Sequence, residues 1–330
     1  MGDATGQIAD LQAWKAPVAR AEDRYLRVRA NPRYPDAARA FARAMLSQAE
    51  GDRLLDGVLK DAGRNVAAKC LAYLHVTGGL TLPRLKGLCA STGLVSPGRA
   101  RMLLIYLQHL GYAAPSPRRE AKAPRRYEPT VRFLATWRRQ MQATLESAAV
   151  LEPAVSTVLA RLDAPGVLES YVRYISEAYL EGLKDVDTED PFFRTFMHRY
   201  AGTQIMHGLV VTARDAFPPY DPIPFHPAEI ARRFSVSRLH VRRMMDAAQR
   251  EDLLRVAGDT LVFTPAGRAA TDHIYATQLI VFLVAAARTA HAARGAEEIP
   301  TVEAECGAQS GQRAERFESP GRILDLLPPV

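Results

Sequence analysis

The chain has 330 residues, 48% of them hydrophobic, and carries 43 lysines and arginines against 36 acidic residues, a net charge of +7. That apolar content excludes a disordered or fibrous class and gives room for two domains with packed cores. The positive balance favours an anionic partner, and three cysteines, Cys70, Cys89 and Cys306, form no paired disulfide framework.

Residues 1–30 read as a polar N-terminal arm in which Leu11, Trp14 and Val18 share a turn-spaced face able to dock on the body. Pro32 and Pro35 open a first domain, 31–130, led by a helix over 36–61 with a break at Gly51. Asn65 to Val76 is the next helix, with Val66, Cys70, Tyr73 and Leu74 on one face and Gly78-Gly79 ending it. Thr81 caps a short helix that turns inward Leu85, Leu88 and Cys89. After a turn over 91–95, Ser96 and Pro97 start a helix that runs to Leu110. Arg99 and Arg101 lie at its start, and it is apolar nearly all round. That surplus of oily surface points to contact with another element, such as a second subunit. A hairpin follows with a basic tip, Arg118, Arg119, Lys122, Arg125 and Arg126.

Residues 131–214 read as a helical linker and dimerisation region, with helices over 131–145, 152–162, 167–183 and 192–214 and an acidic loop over 185–190. Its aromatics, Tyr171, Tyr174, Tyr179, Phe192, Phe193, Phe196 and Tyr200, fit ordinary core, a dimer seam or the wall of a small-molecule effector pocket. Pro218, Pro219, Pro222 and Pro224 form a stiff connector into a second domain, 215–293.

The second domain carries the strongest pattern. Pro227 suits the first position of a short helix, Phe234-Ser235-Val236 makes a turn, and Ser237 caps a second helix. On that helix Val241, Met245 and Ala248 fall on one stripe, while Arg238, Arg242, Arg243 and Arg250 fall away from it. Leu253–Val256 and Thr260–Phe263 are strand candidates around Ala257-Gly258-Asp259. Thr264 and Pro265 then cap and open a last helix. Helix, turn, helix, hairpin, helix is the order of a winged helix-turn-helix. Over about 220–292 the chain resembles MarR-like winged-helix regulators, in which a similar L-x-x-T-P-x-G-R-A exit follows the wing. The resemblance implies a recognition helix that enters the major groove. The wing tip here, Ala-Gly-Asp, lacks the basic residues those regulators often carry there.

The first domain repeats that order piece by piece, so the chain reads as a degenerate tandem repeat. The expected fold class is mainly α, with two winged helix-turn-helix domains bearing small β-hairpin wings, joined by the helical middle region. The expected function is sequence-specific binding of double-stranded DNA and regulation of transcription. Arg238, Arg242 and Arg243 would meet base edges, Ser237 at the head of their helix would lie at the DNA, and Arg232 and Arg233 would meet phosphates. In the first domain Ser96, Arg99, Arg101 and the basic tip would grip a neighbouring segment. The apolar helical surface points to a homodimer. A replication initiator with tandem winged helices, or a protein-interaction module with no DNA role, would present the same residues.

No enzyme, cofactor or metal is expected: there is no Gly-rich phosphate loop, nucleophile elbow or His-Glu-x-x-His, and Cys70, His75, Cys89 and His109 match no zinc spacing. The first residues lack a signal-peptide pattern, and the apolar run 274–287 falls short of the ~20 residues that span a bilayer, so a cytoplasmic setting is expected. The composition of 294–330 predicts a disordered tail.

Overall fold

The computed structural model describes residues 11, 14, 21–117, 123–184, 187–213 and 217–297. The chain is mainly helical, with small antiparallel sheets. Helix α1 (Ala21–Ala30) leads into α2 (Tyr34–Gly51), which Pro35 opens and whose stripe Tyr34, Ala37, Ala38, Phe41, Ala42, Leu46 and Ala49 is buried. Asp52 ends it and caps α3 (Arg53–Leu59), its carboxylate accepting from the Leu54 and Leu55 amides.

Two stretches then carry one order of elements. The first is α4 (Ala62–Val76), β1 (Leu80–Thr81), α5 (Leu82–Ser91), α6 (Pro97–His109), β2 (Ala113–Pro115), β3 (Arg126–Pro129) and α7 (Val131–Leu151). A single 3-10 turn, Pro153–Val155, links it to α8 (Ser156–Leu159) and α9 (Val167–Lys184). A π-helical turn, Phe193–Met197, precedes α10 (Gly202–Thr212). The second stretch is α10 itself, β4 (Ile223–Pro224), α11 (Pro227–Arg233), α12 (Arg238–Arg250), β5 (Leu254–Ala257), β6 (Thr260–Phe263) and α13 (Pro265–Glu297). Each has a three-stranded sheet in which the strand ahead of the helix pair joins the far side of the hairpin, in orders β1-β3-β2 and β4-β6-β5.

The caps expected at Thr81, Ser96, Ser237 and Thr264 are present, and Thr130 adds one that was not expected. Thr81, Ser96, Thr130, Ser237 and Thr264 each accept a hydrogen bond from the amide three residues on, which satisfies a donor that the first helical turn leaves open. The Thr-Pro-x-Gly-Arg exit has its own logic. Thr264 Oγ1 donates to Asp252 O, and Arg268 donates to Phe263 O at 2.9 Å. Gly267 lies so close to the chain before β5 that a Cβ there would fall 1.8 Å from Leu253 O. Only glycine lets α13 start against the β5–β6 hairpin.

Several expectations are corrected. The helix expected over 131–145 continues to Leu151. The helix expected over 192–214 is interrupted: Ala201 takes a left-handed φ of 57°, and its amide donates to Lys60 O at 2.7 Å. A tertiary hydrogen bond thus sets a break that local periodicity does not show. Helix α2, assigned by sequence to the first domain, packs instead on α7, α10 and α13. One buried cluster runs from Leu11 to Ala287, so the expected domains share a core. Leu11 and Trp14 are in it, which docks the N-terminal arm as expected; Val18 lies outside the described residues. Nearly all of the expected tail, 298–330, also lies outside them.

The apolar run 274–287 belongs to a longer helix, so its shortness does not hold. By length and composition Pro265–Arg294 could cross a bilayer, but 56% of its most apolar window is buried inside the fold, against α1, α7 and α9. Asp272 on this helix is itself buried and takes hydrogen bonds from Tyr25 and Tyr34 and an ion pair from Arg29 at 2.6 Å. His207 Nδ1 lies 2.6 Å from the Tyr275 hydroxyl, which ties α10 to α13.

Candidate nucleic-acid interface

Helix α12 is seated by one face and free on the other. Val241, Met244, Met245, Ala247 and Ala248 are buried. Ala231 of α11 and the ring of Phe234 pack beneath, and Gly208 of α10 leaves space for that ring. Ser235, at φ 49°, turns the chain between the two helices. The opposite face exposes Arg238, Leu239, Arg242, Arg243, Asp246, Gln249 and Arg250. Among the described residues no carboxylate lies within ion-pair distance of Arg238, Arg242, Arg243 or Arg250. This helix of 13 residues is about 20 Å long at 1.5 Å per residue.

The flanks are less uniform. Arg233 donates to Glu50 Oε1 at 3.0 Å and lies over the Phe234 ring. Arg232 sits 3.7 Å from Glu229, both well exposed, so that pairing is weak. One group was missed by sequence reasoning: Arg199 donates to Arg243 O at 3.4 Å, and His240 Nε2 lies 2.8 Å from Tyr200 O. The turn after the π-helical segment thus abuts α12 and adds a cation beside it. Its distance along the chain hides this contact from any motif. The β5–β6 hairpin bends at Gly258, whose φ of 60° suits glycine, and carries Arg255, exposed and 3.8 Å from Asp252.

The first unit presents a different face. Ser96 caps α6 as expected, but the Arg99 guanidinium grips both oxygens of Asp61 at 3.0 and 3.1 Å. It anchors α6 to the start of α4. Arg101, Arg125 and Arg126 are exposed; Arg118, Arg119 and Lys122 lie outside the described residues. The outer face of α6 also carries Met102 and Ile105, 61% and 46% exposed. Cys70 and Cys89 are buried free thiols that face one another, and a hydrogen bond between them pushes the Cys70 thiol up and draws Cys89 down. Among the described residues no group of three or more histidine, cysteine or acidic side chains could hold a metal.

No protein-family model, curated protein or solved structure matches this chain.

Proposed function

We propose that this chain binds double-stranded DNA sequence-specifically and regulates transcription in the cytoplasm, each repeated stretch acting as a winged helix-turn-helix. One observation carries the reading: α12 is firmly seated yet turns outward a row of arginines with no acidic partner among the described residues. An unpaired guanidinium row on an exposed helix suits a polyanion, and Arg can meet guanine O6 and N7 in two parallel hydrogen bonds. Arg238, Arg242 and Arg243 take base edges, and Arg232 a phosphate. Arg233 and Arg99, already held by carboxylates, serve the protein's own structure. The unit has no catalytic task in this reading.

The test is selection of bound duplexes from a random pool, followed by anisotropy titrations of the best site at two salt concentrations. Arg242→Ala with Arg243→Ala is expected to weaken the selected site by at least about tenfold, each lost base contact being worth ~1–3 kcal/mol. It should also flatten the salt dependence. Wild-type affinity in a variant that melts normally would remove the groove contact.

A further inference from the structure

The middle of the molecule holds a cavity of about 130 Å³. Its wall is drawn from α2, α4, α7, α9, α10 and α13. Among these, α4 and α7 open and close the first repeated stretch, and α10 and α13 the second. Whatever fills the cavity therefore touches both stretches at once. The wall is mostly apolar, with Trp137, Met141, Ile175 and Phe282 contributing.

Unpartnered polar groups interrupt it. Asn65 Oδ1, Gln140 Oε1, Gln204 Oε1 and Trp137 Nε1 are buried and find no hydrogen-bond partner among the described residues. Gln140 and Gln204 are only 5% and 3% exposed. Each such atom costs about 1–3 kcal/mol, and native folds keep few of them. These four atoms are themselves closed off, but their residues line the cavity, so its wall carries dipoles as well as apolar surface. A cation is present as well. Lys69 lines the cavity with its ammonium 3.4 Å from the centre of the Tyr179 ring, and no carboxylate pairs with it among the described residues. Burial pulls this amine down to about 7.

We propose that the cavity binds a small organic acid with an apolar body, its carboxylate on Lys69 and its body against Trp137, Met141 and Phe282. A dry cavity of roughly 150 Å³ admits benzene, so acids of that bulk are the right size. Occupancy selects between settings of the two repeated stretches, and this regulatory step rests on the DNA-binding reading.

The site is tested first without DNA. Tryptophan emission and melting temperature of the full chain are followed against benzoate, phenylacetate and hexanoate, each beside its amide. The acids are expected to bind saturably and to raise the melting temperature, with the amides about tenfold weaker or more, the loss of one charged contact. Trp137→Phe should remove the emission change and leave the melting shift. Lys69→Met should bring acids and amides level, and Lys69→Arg should restore part of the preference. No binding by any acid at millimolar concentration, or equal binding of acids and amides to the unaltered chain, overturns the site. The acids are then added to the chain bound to its selected duplex. A changed duplex affinity supports the regulatory step; an unchanged one overturns that step alone. A chain that takes acids but no duplex sinks the DNA reading and leaves the site standing.

Discussion

Replacing Lys69 with methionine should stabilise the protein near neutral pH. The amine of Lys69 stands at about 7 in the fold, against an ordinary value of 10.5, because burial disfavours its charge. A folded value below the unfolded one means the unfolded chain binds more protons between pH 7 and 10.5, so this group adds stability as pH rises through that window. At ~1.4 kcal/mol per unit, the depression amounts to about 5 kcal/mol of lost stability at pH 7. The Tyr179 ring offsets up to ~2 kcal/mol of it by holding the charged form, and the partial accessibility of Lys69 trims it further. We expect Lys69→Met to gain about 2–3 kcal/mol at pH 7, shrinking to nothing by pH 10.5, in denaturant titrations of both proteins at matched pH. Methionine has a similar length and suits the apolar wall, so packing changes little. A variant that is less stable at pH 7, or a difference that stays constant with pH, would show that Lys69 is not a strained cation.

Two further outcomes follow from the same reasoning. Gly267→Ala should destabilise by several kcal/mol, about 3 or more, since its Cβ would meet backbone rather than a movable side chain; thermal melts should show a large drop, and a shift within a degree or two would refute the close approach. His207 is pushed down to about 3 by burial, below its ordinary 6.5, so the native state resists a proton that the unfolded chain accepts. Stability should therefore fall as pH drops from 6.5 toward 3, by up to ~1.4 kcal/mol per unit from this residue, and His207→Gln should flatten that slope while keeping a hydrogen bond to Tyr275.

Much of the second repeated stretch was legible because its signals are local. A hydroxyl cap acts within three residues, which is why Ser237 and Thr264 could be placed from the sequence. The hairpin over 254–263 was legible from its alternation and its glycine. Strands β1 and β4 were not: they are two residues long and exist only through pairing with β3 and β6. The left-handed Ala201 depends on Lys60 O, far away in sequence. The site shows the same division. Arg242 and Arg243 were placed on the outer face by helical spacing alone, while the commitment of Arg99 to Asp61 and Arg233 to Glu50 needed tertiary contacts. The cavity was the least legible, because Asn65, Val66 and Lys69 share a helix face whose mixed chemistry resembles neither core nor surface.

The shared core bears on how two DNA-binding units in one chain would work together. Units on a loose linker search independently and gain from each other through effective concentration. Here α2 bridges α7, α10 and α13, and α9 packs on both α4 and α13, so each setting of the core holds α6 and α12 a definite distance apart. A fixed separation admits only operators with matching half-site spacing. If both units engage one duplex, inserting base pairs between the half-sites of the selected site should abolish joint binding at half a helical turn and leave only the affinity of α12. Bend or phasing assays on such spaced sites would read this directly. Equal affinity at every spacing would mean that α6, with Met102 and Ile105 on its outer face, meets something other than DNA and that α12 binds alone.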